Sequence, residues 1–196
     1  EIDLTDGEVT RDFFARHSDI RAVIHFAALK AVGESVNKPL EYYFNNLNSL
    51  MNVLTCMREF KVSNLVFSSS CTVYGQADVL PVTEKTPRHE AESPYGNTKV
   101  MSEDIIRDLM RVEPDMKALA LRYFNPIGAH PTAFIGELPN GVPNNLIPYL
   151  TQTAIGIREQ LSVFGDDYNT PDGSPLRDYI DVVDLAQAHV VAIRRL

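Results

Sequence analysis

Apolar residues recur at intervals of three and four from Leu40 through Tyr43, Phe44, Leu47, Leu50, Met51 and Leu54 to Met57, which predicts an amphipathic helix over positions 40–60. Pro39 stands at its start, where a helix has no use for an amide N–H. The spacing of Met101, Ile105, Leu109 and Val112 predicts a second helix over 95–112, and that of Leu185, Ala188, His189 and Ala192 a closing one over 182–195. Shorter helices are expected over 8–17 and 146–157. Between them lie largely apolar segments of strand length at 22–27, 65–70 and 117–124, with shorter strands expected at 161–164 and 178–180. Strand and helix in alternation give an α/β fold with a parallel sheet and right-handed crossovers. Positions 76–93, with Pro81, Pro87 and several charges but no sustained period, read as a long loop. Beyond 125 the texture turns rich in Gly, Pro and Asn, which places a boundary there: 1–125 on one side, 126–196 on the other.

Composition narrows the function. A net charge of −8 and a sequence pI of about 5.1, without a basic cluster, argue against a nucleic-acid binder. No apolar stretch approaches the roughly 20 residues of a membrane span, and no signal-peptide start is visible, so a cytoplasmic setting is expected. Cys56 falls in a helical pattern and Cys71 in a loop. Neither has a C-x-x-C partner or a histidine cluster nearby, so neither a metal nor a disulfide is expected.

Candidate chemistry centres on Ser93-Pro94-Tyr95-Gly96-Asn97-Thr98-Lys99. Four residues apart on a helix, Tyr95 and Lys99 share a face. A phenol is a poor base at neutral pH, but an adjacent ammonium would stabilise its phenolate and let it exchange a proton with a substrate hydroxyl. The pair alone reads first as the product of an ordinary amphipathic helix, and its context decides. A second element is Ser68-Ser69-Ser70-Cys71-Thr72-Val73-Tyr74-Gly75, where an apolar run ends in hydroxyls. It fits either a turn or the carboxyl end of a sheet strand, where ligands bind in open α/β folds. His25 reads as a packed core histidine, and the adjacent Asn45 and Asn46 as a solvated helix face.

Together these segments resemble the extended short-chain dehydrogenase/reductases, and among them the UDP-glucose 4-epimerase family. The likeness extends in order to His25-Phe26-Ala27-Ala28-Leu29-Lys30-Ala31-Val32-Gly33-Glu34-Ser35, Arg122-Tyr123-Phe124-Asn125-Pro126, Pro143-Asn144-Asn145-Leu146 and Arg177-Asp178-Tyr179-Ile180. It implies a Rossmann-like, doubly wound parallel sheet with part of a smaller substrate-binding region: 1–125 a partial NAD-binding domain, 126–196 a partial substrate region with returning Rossmann elements. It implies Ser70, Tyr95 and Lys99 as catalytic residues. Asp3, Leu4, Phe26, Ala27, Leu29, Lys30, Asn45, Ser68, Tyr123 and Phe124, with Tyr95 and Lys99, would hold NAD. Ser70, Asn125, Asn145, Leu146, Phe164 and Arg177 would hold a UDP-sugar; for Arg177 a surface ion pair with Asp178 or Asp181 is the other reading.

The reaction so implied inverts C4 between UDP-glucose and UDP-galactose through a 4-keto sugar, as in galactose metabolism, by a full-length homodimer. Another sugar-nucleotide dehydrogenase, reductase or dehydratase, or a non-catalytic nucleotide-binding protein, is the alternative. Dehydratases of this kind need an Asp-Glu pair after the catalytic hydroxyl, and here Cys71 and Thr72 follow Ser70. The family's Gly-rich pyrophosphate turn is not found in these residues, nor are its last substrate-domain segments. A central fragment, inactive alone, is therefore expected.

Overall fold

The computed structural model describes residues 1–196. Its elements run α1 (Gly7–Arg16), β1 (Ala22–His25), α2 (Val32–Asn37), α3 (Pro39–Glu59), β2 (Asn64–Ser68), a 3₁₀ turn (Cys71–Tyr74), α4 (Pro94–Val112), β3 (Lys117–Leu121), β4 (Asn125–Ile127), α5 (Leu146–Ala154), β5 (Tyr179–Asp181) and α6 (Val182–Arg195). They fall into two compact units, residues 1–123 with 188–196, and residues 124–187.

The first unit holds a parallel sheet in the order β1-β2-β3, as the alternation of strand and helix predicts. Alternate residues of β2 face opposite ways: Leu65 and Phe67 enter a core with Phe14, Leu50, Val53, Leu54, Met57 and Ile106, while Val66 points to the other face and is equally buried. Asp6 starts α1, its carboxylate accepting from the amides of Glu8 and Val9, both at 3.0 Å. The central helix α3 keeps Pro39 in its first turn. It ends where Lys61 turns left-handed (φ 59°), so that the Val62 amide donates to the Met57 carbonyl at 2.8 Å and the Lys61 amide to Arg58.

The buried stripe of α3 differs from the one its apolar residues suggest. Tyr42, Asn46, Ser49, Leu50, Val53, Leu54 and Met57 face inward, whereas Leu40, Phe44 and Met51 are exposed. On α4 the inward residues are Thr98, Lys99, Ser102 and Ile106, and Val112 lies in solvent. Apolar periodicity finds only part of each inner face, Leu50, Leu54 and Met57 on α3 and the partly buried Ile105 and Leu109 on α4, because polar side chains with built-in partners occupy much of the rest. The short helix α2 was hidden for a related reason: Val32-Gly33-Glu34-Ser35-Val36-Asn37 is too short to display a period.

The second unit pairs β4 with β5 in parallel, Asn125 opposite Tyr179 and Ile127 opposite Asp181. α5 stops at Ala154, short of the expected 157, because Gly156 adopts φ 81° and lets the Ile157 amide reach the Gln152 carbonyl at 2.9 Å. The strand expected at 161–164 does not form. Val163 and Phe164 are largely exposed there, and no neighbouring strand offers backbone partners.

Candidate active site

Three local devices place the serine loop and the start of α4. Ser70 is extended (φ −154°, ψ 153°) and caps the 3₁₀ turn, its Oγ accepting from the Thr72 amide at 3.3 Å. Gly75 closes the loop at φ 57°. A side chain there would stand 2.6 Å from the Glu90 carbonyl, so only glycine fits. Ser93 then caps α4, accepting from the Gly96 amide at 3.1 Å, with Pro94 in the first turn and Tyr95 directly after it.

Tyr95 and Lys99 accordingly share one face of α4, beside the hydroxyls at the carboxyl end of β2. The Lys99 ammonium is buried, donates to the Ser68 carbonyl at 2.7 Å and stands 5.0 Å from the Phe67 ring centre and 5.8 Å from that of Tyr95. Burial lowers its pKa to about 8. Burial also raises the Tyr95 pKa, against the opposing hydrogen bond from Ser70. Against the lowering that the sequence spacing suggests, the net direction is upward, because burial of the phenol outweighs the Ser70 hydrogen bond.

The other residues expected at a cofactor are arranged around this pair. Ser68 Oγ shares a very short hydrogen bond with the Tyr123 hydroxyl, and burial raises the Tyr123 pKa. Phe26, Ala27, Leu29 and Lys30, in the loop after β1, are exposed. Asp3 is exposed and holds the Thr5 amide at 2.9 Å, while Leu4 packs against the core. Asn45 donates to Asn46 at 3.0 Å.

Sequence reasoning missed Asn46. It is 5% exposed, its carbonyl oxygen accepting from the Leu29 amide at 2.8 Å and its NH₂ donating to the Leu29 carbonyl at 3.0 Å and to Thr98 at 3.1 Å. It thereby ties the loop after β1 to α4 next to Lys99. Asn48 and Asn52 hold the 4–5 segment in the same way, donating to the Thr5 carbonyl at 2.8 Å and the Leu4 carbonyl at 2.9 Å. For Asn48 and Asn52 the available signal was the recurrence of asparagine at 45, 48 and 52, one stripe of a helix; Asn46 lies off that stripe and had no such signal. His189 was read only as part of an apolar face. It is buried, 4.7 Å from the Phe26 ring and 6.0 Å from that of Tyr123.

His25 is 4% exposed and stacks on Phe67 at 6.1 Å, as its reading as a core residue requires. Burial, and then the Lys99 charge, lower its pKa to about 4. Between that value and the unfolded 6.5, the unfolded chain holds a proton that the folded chain does not, so stability falls as pH drops through this window, by about 3 kcal/mol in all. His25→Gln is expected to flatten that part of the acid-unfolding profile in urea titrations. A profile identical to wild type would contradict the assignment.

In the second unit, Asn125 opens β4 and donates to the Asp178 carbonyl through both its amide (3.3 Å) and its side chain (3.0 Å), which brings it beside the segment carrying Arg177. Arg177 is exposed and belongs to none of the ion pairs. Asn145 caps α5 by position but donates to Glu137 at 3.2 Å, and Leu146 follows it half exposed. Phe164 is 86% exposed and Phe124 half-buried. No hydrogen bond or ring contact joins Asn145, Phe164 and Arg177.

Residues 1–196 match, over their full length, the model of the NAD dependent epimerase/dehydratase family. The chain belongs to that family. It is 54% identical to the UDP-glucose 4-epimerases of Mus musculus and of Bacillus subtilis, all 196 residues aligning with 56% and 57% of those proteins. Among solved structures it resembles UDP-glucose 4-epimerase from Bifidobacterium longum in complex with NAD⁺ and UDP, with a TM-score of 0.96, 48% identity, and coverage of 100% of this chain and 58% of that one. The chain thus spans just over half the length of the relatives it matches. Its parallel α/β sheet is the Rossmann-like fold of the family.

Proposed function

We propose that the protein interconverts UDP-glucose and UDP-galactose by inverting C4 with NAD as bound cofactor. The observation that carries this reading is Tyr95 and Lys99 on one face of α4, against Ser70 at the carboxyl end of β2. The likeness to relatives named UDP-glucose 4-epimerase supports it.

The residues fit NAD. The carboxyl ends of β1 and β2 carry the exposed Phe26, the small Ala27 and Ala28 and the Ser68 hydroxyl, to which α4 adds the Lys99 ammonium and the segment after β3 the Tyr123 hydroxyl, a donor set suited to ribose hydroxyls and a carboxamide. Asn45, Leu29, Lys30, Asp3, Leu4 and Phe124 complete the proposed cofactor set. When bound, NAD supplies the oxidising and then the reducing equivalent at C4, so that the sugar passes through a 4-keto form with no net redox change. Tyr95 takes the proton of the C4 hydroxyl and returns it after the sugar has turned. Ser70, already hydrogen-bonding the phenol, offers its hydroxyl to the same oxygen. Lys99 adds positive charge beside both. Asn125, Asn145, Leu146, Phe164 and Arg177 are assigned to the nucleotide sugar, with the exposed Arg177 guanidinium a natural fork for diphosphate oxygens.

Dehydration is disfavoured, since Cys71 and Thr72 supply no carboxylic acid after Ser70. A homodimer belongs to the same proposal and is supported by the exposed Leu40, Phe44 and Met51 on α3 and Met101 on α4. No helix is long and apolar enough to cross a membrane. A cytoplasmic setting is part of the same proposal. Incubation of the protein at its full natural length with UDP-galactose tests the function: UDP-glucose without net NADH is expected. Stoichiometric NADH, or a 4-keto-6-deoxy sugar, would replace the proposal with a dehydrogenase or a dehydratase.

A further inference from the structure

The face of α4 that carries Tyr95 and Lys99 continues one turn further to Glu103, at the same four-residue spacing. Each of the three meets a different residue of the serine loop. Tyr95 interacts with the Ser70 hydroxyl, Lys99 donates to the Ser68 carbonyl at 2.7 Å, and Glu103 accepts from the Ser69 hydroxyl at 2.6 Å. The Glu103 side chain is 9% exposed, a costly place for a carboxylate unless it is paired and hydrogen-bonded.

It is both. Arg122, at the end of β3, grips it with Nε at 2.8 Å and Nη2 at 2.6 Å, and Arg88, from the long loop, adds a second guanidinium at 3.7 Å. Both arginines are themselves held. Arg122 lies 5.0 Å from the centre of the Tyr74 ring within the serine loop, and Arg88 pairs with Asp104 at 2.6 Å. The fork-on-fork pair fixes the carboxylate in direction as well as in place.

This leaves Ser70 between two anchors. On one side the Ser69 hydroxyl is pinned by Glu103, and on the other the Cys71 amide donates to the Tyr123 carbonyl at 3.1 Å. Adjacent Cα atoms are separated by a fixed distance of about 3.8 Å, so a shift at Ser69 passes directly to Ser70. We propose that Glu103, oriented by Arg122, is a positioning residue that fixes the Ser70 hydroxyl through Ser69; its bearing on turnover rests on the C4 chemistry proposed above.

Ser69→Ala is the deciding variant, because it cuts the tie to the loop and leaves the Glu103–Arg122 pair in place. In the NAD-loaded protein at full natural length, kcat on UDP-galactose is expected to fall about 10-fold or more, the scale that small misplacements reach, with KM and Tm nearly unchanged. Amide hydrogen exchange at Thr72, which donates to Ser70 Oγ, is expected to speed up in the same variant. Glu103→Ala should lower kcat as well, and adding Ser69→Ala to it should cost little more, since both act along one path.

A lower Tm with unchanged kcat and unchanged Thr72 exchange in Ser69→Ala would overturn the inference, and so would kcat losses that multiply in the double variant. Should the wild-type protein leave UDP-galactose unconverted, the proposed function fails. The exchange rate at Thr72 then still decides the positioning role, with acceleration upholding it and no change refuting it.

Discussion

Replacing Tyr95 with phenylalanine is expected to lower turnover of UDP-galactose by about 10²–10⁴-fold, the usual contribution of a positioned acid–base group. The fold should survive, because the position of residue 95 is set by its neighbours: the Ser93 cap on the Gly96 amide and Pro94 in the first turn. Removing the hydroxyl takes away the group proposed to exchange the C4 proton and the partner of Ser70. Steady-state kinetics with a parallel melting curve separate the two effects. A variant that folds and retains wild-type turnover would remove Tyr95 from the chemistry.

The second large effect concerns Lys99, where activity and stability pull in opposite directions. Its buried ammonium has a pKa near 8 against an ordinary 10.5, with burial as the cause. From about pH 8 to 10.5 the unfolded chain holds a proton that the folded chain has released, so stability rises with pH across that window. At neutral pH the folded protein therefore carries a penalty of about 3 kcal/mol for keeping the charge. Lys99→Met removes the penalty but leaves the Ser68 carbonyl without its 2.7 Å donor, a loss of about 1–3 kcal/mol. The variant is thus expected to be at least as stable as wild type at pH 7, to lose the alkaline rise in stability, and to turn over about 10²-fold more slowly or worse. Denaturant unfolding at several pH values, together with kinetics, checks all three. Marked destabilisation at pH 7 would mean that the ammonium has an anionic partner in the fold.

Such a trade is characteristic of a charge retained for chemistry, and it also explains what could be read from the sequence. The helices and the three main strands were legible wherever period or apolar run length was strong, as in 40–60 and 182–195. The inner faces of α3 and α4 were legible only in part, because Asn46, Thr98, Lys99 and Ser102 are buried polar residues, and the partners of Asn46, Thr98 and Lys99 lie far along the chain. Asn46 reaches Leu29 and Thr98, separations of 17 and 52 residues that no local pattern encodes. Tyr95 and Lys99 stood out by spacing and by resemblance. Glu103 continued the same spacing and passed unnoticed, since a glutamate on a charged helix reads as a solvated face until Ser69 and Arg122 are seen to surround it. The short strand β4 and the irregular 161–164 segment depended on whether a neighbouring strand was available, which is a property of the fold and not of the segment.

The central claim is that C4 is oxidised and re-reduced within one site, with Tyr95 moving the proton. The most direct measurement uses UDP-galactose carrying deuterium at C4, incubated in ordinary water with the protein at its full natural length, followed by analysis of the label in the UDP-glucose formed. The account predicts that deuterium stays at C4 with no net NADH in solution. Deuterium washed out into solvent, or recovered in free NADH, would contradict it.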